Sequence, residues 1–180
     1  YKYLNGGPGA IGGLYVHQRH GEQAPLPRLS GWWGHEARTR FQMAPTFVPT
    51  PGAAGWQLSN PPILSTAPLL ASLALFRAAE PAALRTRSLA LTDYLQALLL
   101  RLCGARLQVV TSSLPGERGC QLSVRVRGTP AQARAVFDGL LPRGVVGDWR
   151  EPDIIRLTPV PLYNSFSDVH RAATALSELL

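Results

Sequence analysis

Residues 121–127 have the sequence QLSVRVR, in which polar and apolar side chains alternate without a break. This alternation predicts a β-strand that buries Leu122, Val124 and Val126 on one face and exposes the other face to water. A strand with one wet face is typical of an antiparallel sheet, because parallel sheets are usually covered on both faces. The stretch therefore predicts an antiparallel sheet with one buried face.

The segments around this strand predict the rest of a small domain. Thr129-Pro130 has the residue types of a helix cap and first helical residue, for a helix that reaches Leu141. A final helix begins at Ser167 or Asp168. Three further strands are predicted, at residues 107–111, 145–149 and 154–157. The order strand-strand-helix-strand-strand-helix predicts an α+β domain over residues 105–180.

Two helices are predicted ahead of this domain. Apolar residues at helical spacing predict the first over residues 66–79. Pro81 is suited to the first position of the second, which ends near Cys103 with Gly104 as its C-cap. We interpret residues 66–104 as connecting helices.

Residues 1–65 differ in composition from the rest of the chain. They contain ten of the 17 glycines and eight of the 16 prolines, which is incompatible with long helices. Within them, residues 13–17 predict one short strand. We interpret the segment as the C-terminal part of a larger domain whose loops line a site. Because the chain opens at Tyr1 without a methionine, we expect it to be the C-terminal portion of a longer polypeptide.

The overall composition limits the classes of function. The chain has 180 residues, of which 46% are apolar and 16% charged, as expected for a protein with a buried core. Its formal charge is +7, but every basic residue except Lys2 is an arginine, and the arginines are spread along the chain. A basic nucleic-acid-binding module is therefore only an alternative, and no nucleic-acid partner is predicted. No apolar stretch reaches the roughly 18–20 residues of a membrane span, so no membrane partner is predicted either.

Three patterns have residue types of functional motifs without their structural context. Gly7, Gly9 and Gly12 fit a dinucleotide-binding fingerprint, but a strand rather than a helix is predicted after them. A glycine turn that permits close backbone packing is favoured instead. A metal site is not favoured, because the sequence around its candidate ligands has no helical pattern. A catalytic triad is not favoured either, because its three candidates lie within one helical turn, whereas triad residues are brought together in space by the fold. The residues concerned are His17, His20, Glu22 and His35 for the metal, and Ser165, Asp168 and His170 for the triad.

Lys2 is the residue whose chemistry is most informative. A chain that uses arginine elsewhere for positive charge has one lysine, between Tyr1 and Tyr3 and just before a glycine-rich turn. An arginine guanidinium stays protonated, whereas a partly desolvated lysine amine is nucleophilic and can bond covalently to a carbonyl. A solvated surface lysine is the structural alternative. The pattern indicates a lysine that binds a carbonyl cofactor.

Four motifs in order along the chain resemble the kynureninase family. They are YKYLNG at 1–6, GWWGHE at 31–36, LSNPPIL at 58–64, and IR at 155–156 followed by PVPLYNSF at 159–166. The resemblance implies an α/β enzyme with the PLP-dependent transferase (fold type I) architecture, in which the end of the large PLP-binding domain (residues 1–65) precedes a small C-terminal α+β domain. It also implies a cytoplasmic homodimer with active sites shared between subunits.

The implied activity is the hydrolysis of L-kynurenine, or its 3-hydroxy form, to an anthranilate and L-alanine, in tryptophan catabolism and NAD biosynthesis. Pyridoxal 5'-phosphate (PLP) is the implied cofactor. Another fold type I enzyme, a desulfurase or an aminotransferase, is the alternative. A desulfurase would need a mobile catalytic cysteine, and neither Cys103, at the end of a helix, nor Cys120, at the start of a strand, is on an evident flexible loop.

The resemblance also implies roles for individual residues. Lys2 would hold the cofactor covalently and then act as the base for the substrate Cα proton. Tyr1 would bind the cofactor phosphate and serve as an acid, while Trp32 and Asn60 would reach the cofactor from the neighbouring subunit.

Substrate binding is assigned to three residues on the same basis. Arg156 would bind the α-carboxylate with its bidentate fork, Asn60 the ring hydroxyl, and Trp33 the aromatic ring. The structural alternatives are a core aromatic for Trp32, a turn residue before Pro61 for Asn60, and a strand charge paired with Asp153 for Arg156. Other cofactor contacts are expected upstream of Tyr1, on the N-terminal remainder of the polypeptide, so we expect this chain alone to be inactive.

Overall fold

The computed structural model describes residues 1–21 and 26–180. Glu22, one of the four candidate metal ligands in the sequence, lies outside the described residues. The chain divides into two compact units, Tyr1–Leu75 and Phe76–Leu180, and each is described by itself. The segment interpreted from sequence as connecting helices is divided between the two units, and its second helix lies in the second unit.

The second unit contains a four-stranded antiparallel sheet. Its strands are β1 (Leu107–Val109), β2 (Leu122–Val126), β3 (Asp148–Arg150) and β4 (Ile154–Leu157), in the spatial order β1-β2-β4-β3. The alternation that predicted β2 is confirmed, since Leu122, Val124 and Val126 are all buried. The predicted strand at residues 145–149 begins only at Asp148, because the Val145 N–H donates to the Leu140 carbonyl (3.1 Å) and completes the turn after the preceding helix.

Three helices pack with this sheet around one core. They are α3 (Pro81–Cys103), α4 (Pro130–Leu140) and α5 (Phe166–Leu179), so the predicted strand and helix order is confirmed. Burial of a Leu, Ile or Val side chain contributes about 1.5–3 kcal/mol relative to exposure. The largest fully buried side chains are Leu91, Leu95, Leu99, Leu122, Leu140, Ile155, Leu176, Val124 and Thr92.

Local signals fix the ends of these helices. Gly104 is the C-cap of α3 with φ +54°, in the positive-φ region that glycine tolerates, and its N–H donates to the Leu100 carbonyl. Helix α4 has a capping box formed by Thr129 and Gln132. Helix α5 has a second capping box, formed by Ser165 and Asp168.

The described residues of the first unit have little regular structure. The unit holds the single-turn helix α1 (Gln18–Gly21) and most of α2 (Ile63–Ala78). Between them, the residues from 26 onward include three 3-10 turns, at Trp32–Gly34, Arg40–Gln42 and Gly52–Trp56. Among its described residues, Leu69 is the one buried hydrophobic side chain.

Two expectations for the first unit are wrong. Residues 13–17 form no strand, because the His17 carbonyl accepts the N–H groups of His20 and Gly21 and begins a helical turn, while Leu14 and Tyr15 are exposed. A glycine turn does form, but close packing is not the reason for Gly7 and Gly9. Both have positive φ with open space around them, so their conformation requires glycine.

Among the described residues, no single helix has the length and apolar content to cross a membrane, and α2 with the stretch from Pro81 to Arg106 meets that test only as a bent pair.

Candidate active site

Lys2 lies in a tight turn that is anchored on helix α2. The Gly6 N–H donates to the Tyr1 carbonyl (2.9 Å) and the Asn5 N–H to the Lys2 carbonyl (3.0 Å). The buried Ser72 hydroxyl on α2 donates to the Leu4 carbonyl. This turn therefore fixes the backbone on both sides of Lys2, although neither Ser72 nor Asn5 was singled out from the sequence.

The Lys2 side chain is accessible. The residue is exposed, and its Nζ lies 5.7 Å from the centroid of the Tyr1 ring. No carboxylate in the described part of the chain forms an ion pair with it. Tyr1 is itself 50% exposed. The turn thus presents an amine and a phenol side by side.

The motifs that contain Trp32 and Asn60 lie against each other. The Trp33 N–H donates to the Leu58 carbonyl (3.4 Å), and a Cβ on Gly31 would overlap the Leu58 backbone. Only glycine at position 31 permits this close approach. The two segments are therefore brought together by backbone packing, and both Trp32 and Asn60 are exposed.

Trp33 is held by an arginine that sequence reasoning missed. The Arg40 Nη2 donates to the carbonyls of Trp33 (2.7 Å) and His35 (3.1 Å), and its guanidinium lies 4.4 Å from the Trp33 ring centroid. One face of the Trp33 ring is thus covered by Arg40. Nothing in a single sequence marks this arginine among the others, because the contact depends on the turn at Trp32–Gly34.

The three histidines considered as metal ligands have other partners. His35 is buried, its Nδ1 accepts the Val48 N–H (3.2 Å), and its Nε2 hydrogen-bonds the Thr39 hydroxyl (3.0 Å). His17 and His20 both hydrogen-bond Arg19. Within residues 1–21 and 26–180, no group of His, Cys, Asp and Glu is arranged to hold a metal ion.

Arg156 lies on β4 in the second unit, opposite an aspartate. The strand register pairs Asp148 with Arg156, and the Asp148 Oδ2 accepts a hydrogen bond from the Arg156 Nε. The expectation that a purely structural Arg156 pairs with Asp153 is wrong, because Asp153 forms an ion pair with Arg125 (3.0 Å). Asp148 was not singled out from the sequence, since only the strand register brings the two together.

The two neighbouring arginines, Arg156 and Arg150, favour the ionised form of the Asp148 carboxyl. Partial burial opposes ionisation of its carboxyl, but the hydrogen bonds and charges of Arg156 and Arg150 outweigh that effect and hold its pKa below the ordinary value. Asp148 is therefore an ionised partner for both guanidinium groups at neutral pH.

The remaining candidates have structural roles. Ser165 and Asp168 form the capping box of α5. Cys103 is buried and Cys120 half-buried, and burial raises the pKa of both thiols. A raised pKa leaves little reactive thiolate.

The structure therefore groups the predicted site residues in three places. Tyr1 and Lys2 share one turn, Trp32 and Trp33 lie on a turn packed against the segment that leads to Asn60, and Arg156 lies in the other unit.

Comparisons with known proteins agree with the resemblance of the motifs. Residues 84–176 match the family model described as kynureninase C-terminal domain. A kynureninase of Xanthomonas euvesicatoria pv. vesicatoria is 61% identical over 170 residues, and one of Xanthomonas campestris pv. campestris is 58% identical over 171 residues. These cover 94% and 95% of this chain, and the chain spans 40% of the length of each.

A solved structure supports the fold. It is described as a C-DES mutant with glycine covalently linked to the PLP cofactor, and it aligns with a TM-score of 0.62 at 20% identity. The alignment covers 84% of this chain and 38% of that one. The chain thus has the fold of a portion of a PLP enzyme.

Proposed function

The chain belongs to the kynureninase family, and from this premise we propose that it supplies catalytic and binding residues for the PLP-dependent hydrolysis of L-kynurenine or 3-hydroxykynurenine. The products are an anthranilate and L-alanine. The observation that carries the proposal is the 61% identity to a kynureninase along 94% of the chain.

Activity further requires the part of the kynureninase length that this chain does not cover. We refer to the chain together with that N-terminal remainder as the complete enzyme. We propose that it is a homodimer with active sites shared between subunits, located in the cytoplasm, and that it acts in tryptophan catabolism through the kynurenine pathway and in NAD biosynthesis.

The donor groups of the first unit fit PLP. The Lys2 amine is exposed and free of a carboxylate partner in the described part of the chain, as a residue that bonds to an aldehyde must be. The Tyr1 hydroxyl, the Trp32 indole N–H and the Asn60 amide are accessible donors suited to a phosphate. We assign these four residues to the cofactor, which when bound draws electrons away from the substrate Cα.

Each residue then has a task at a stated atom. The Lys2 amine removes the proton from the substrate Cα. Water adds to the Cγ carbonyl, so that breaking the Cβ–Cγ bond releases the ring fragment as an anthranilate. The Tyr1 hydroxyl would donate a proton to Cβ, which becomes the methyl group of alanine, and Arg156 would bind the α-carboxylate. Trp33 contributes to the wall around the substrate ring through the part of its indole that Arg40 leaves free.

Two measurements on the complete enzyme test the assignment of Lys2. Borohydride reduction followed by peptide mass spectrometry is expected to find the cofactor on the peptide that contains Lys2. Hydrolysis of kynurenine is expected to be lost in Lys2→Arg, since a guanidinium cannot replace the amine. A colourless protein with no modified Lys2 would refute the proposal.

Arg156 is tested by its effect on substrate binding. Arg156→Ala removes a charge-assisted contact of about 1.5–3 kcal/mol, so kcat/KM is expected to fall roughly tenfold to several-hundredfold. Arg156→Lys is expected to recover only part of this loss, because an ammonium lacks the planar fork. Retention of the cofactor absorbance is the control, and full activity in Arg156→Ala would contradict the role.

Asn60 is proposed to hydrogen-bond the ring hydroxyl of 3-hydroxykynurenine and so to favour that substrate. Asn60→Thr is expected to change the ratio of kcat/KM for the two substrates. An unchanged ratio would remove Asn60 from substrate recognition.

A further inference from the structure

The carboxylate of Asp148 binds one particular side of the Arg156 guanidinium. Its Oδ2 accepts from the Arg156 Nε and also forms an ion pair with Nη2. The Nη1 of Arg156 has no hydrogen-bond or ion-pair partner in the described part of the chain. Asp148 therefore occupies the side edge of the fork.

The end edge of the fork, between Nη1 and Nη2, is the one that the pair leaves open. A guanidinium has five N–H donors in a rigid plane, so a carboxylate on the side edge fixes the direction of the remaining donors. The Arg156 side chain is 28% exposed, so a small ligand can reach it. A second acid can bind there while Asp148 stays in place.

We propose that Asp148 is a positioning residue, which holds the side edge of Arg156 so that the Nη1–Nη2 edge is presented to the α-carboxylate of the amino-acid substrate. The inference rests on the proposed function, because it takes Arg156 as the carboxylate-binding residue. Asp148 acts through Arg156 and does not touch the substrate itself.

Two features favour positioning over a simple surface ion pair. The position of Asp148 is fixed by the strands, since it lies directly opposite Arg156 in the β3–β4 register. Asp148 also accepts a hydrogen bond from the Arg150 Nε (3.1 Å), so its own carboxylate is held from a second side. Both effects reduce the freedom of a long side chain whose direction decides whether it binds a carboxylate in a bidentate way.

The turn between β3 and β4 provides a matched control. The Arg125 Nε donates to the Asp153 carboxylate, just as the Arg156 Nε donates to Asp148. Arg125, however, has no proposed substrate role. Asp153→Ala thus removes the same charge from a position next to the same sheet. Asp148→Ala, Asp153→Ala, Arg156→Ala and the Asp148→Ala/Arg156→Ala double variant form the set to be compared in the complete enzyme.

Steady-state kinetics with L-kynurenine and with its α-carboxamide analogue distinguishes a positioning role of Asp148 from a simple surface ion pair. In Asp148→Ala we expect KM for kynurenine to rise about tenfold with kcat nearly unchanged, because the lost contact is made in both ground and transition states. The preference for carboxylate over carboxamide is expected to fall by a similar factor. Neither KM nor this preference depends on how much of a variant is folded.

The other variants decide how the result is interpreted. Asp153→Ala is expected to match the parent, and the double variant to be no worse than Arg156→Ala alone. An unchanged or lower KM in Asp148→Ala, or an equal rise in Asp153→Ala, would overturn the positioning role while leaving Arg156 in place. Full activity in Arg156→Ala would instead overturn the proposed substrate-binding role of Arg156, and the present inference with it.

Discussion

The two units of the chain are stabilised in different ways. In the second unit, helices α3, α4 and α5 and the sheet contribute buried side chains to one hydrophobic cluster. In the first unit, Leu69 is the one buried hydrophobic side chain among the described residues, while Trp32, Leu64 and Leu70 are all exposed. Apolar burial within the described part of the chain therefore accounts for the fold of the second unit and not for that of the first.

Polar contacts and close backbone packing hold the first unit instead. Ser72 binds the turn that carries Lys2, Arg40 binds the carbonyls behind Trp33, and Gly31 lies directly against Leu58. Such contacts fix local geometry but contribute less than a core. Within this chain, the proposed cofactor-binding residues therefore lie where little apolar burial supports them, whereas Arg156 lies on a sheet with its own core.

Separating the units gives the largest expected effect. We expect residues 76–180 to unfold in one cooperative transition and residues 1–75 to show none, because among the described residues only the former contain a buried hydrophobic cluster. Urea titrations followed by circular dichroism, with the whole chain as reference, make the comparison. A cooperative transition in residues 1–75 would show that apolar burial is not what distinguishes the two units.

Neighbouring leucines on α3 test the core itself. Leu99 is fully buried, whereas Leu100 is 54% exposed. Leu99→Ala is expected to lower the free energy of unfolding by about 2–5 kcal/mol, through lost burial and the cavity left behind. Leu100→Ala is expected to change it by no more than about 0.5 kcal/mol. Equal losses measured by urea unfolding would contradict the assigned core.

A pair of glycines tests the first unit in the same manner. A methyl group on Gly31 would overlap the Leu58 backbone, whereas one on Gly13 would meet nothing within 4 Å. Gly31→Ala must separate the two segments, at a cost of about 1–3 kcal/mol typical of overpacking. We expect a lower thermal midpoint and weaker cofactor binding in the complete enzyme, with Gly13→Ala as the control. Matching behaviour of the two variants would show that the close approach is unimportant.

The parts of the fold that the sequence predicts are those with local causes. Helix α3 begins and ends where Pro81 and Cys103 indicate, and β4 has its predicted bounds, because caps and periodicity act within a few residues. The strand expected at residues 13–17 fails because a strand also needs a partner. No alternation within five residues can supply that information.

The candidate site also divides into residues that the sequence indicates and residues whose contacts depend on the folded chain. The chemistry of lysine and the absence of any other lysine indicate Lys2, and the family resemblance is needed for Trp32, Asn60 and Arg156, whose roles stay predictions. Arg40 and Asp148 could not be found in this way. Their partners are set by a turn and by strand register, which are properties of the folded chain.

The smallest effect concerns the acid stability of the second unit. In the capping box of α5, the Ser165 N–H and hydroxyl donate to the Asp168 carboxylate (2.8 and 2.9 Å), and Arg171 forms an ion pair with it. The backbone N–H of Ser165 contributes most, followed by Arg171, and together these contacts lower the pKa of Asp168 to about 2. By contrast, α4 has the uncharged Gln132 at the equivalent position, and α2 has no acidic residue in its first turn.

Because the folded protein holds the Asp168 proton less tightly than the unfolded chain, this contribution to stability is complete above the ordinary pKa near 4 and is lost as pH falls towards about 2. Asp168→Asn should therefore lower stability at neutral pH and flatten the decline between about pH 4 and 2, measured by urea unfolding across that range. Gln132→Ala, which alters the α4 box, should lower stability by an amount independent of pH. Asp148 also has a lowered pKa, but it is present in all three proteins, so the difference between the curves isolates Asp168. Parallel curves for Asp168→Asn and the parent would mean that the Asp168 carboxylate contributes nothing to the acid sensitivity of the second unit.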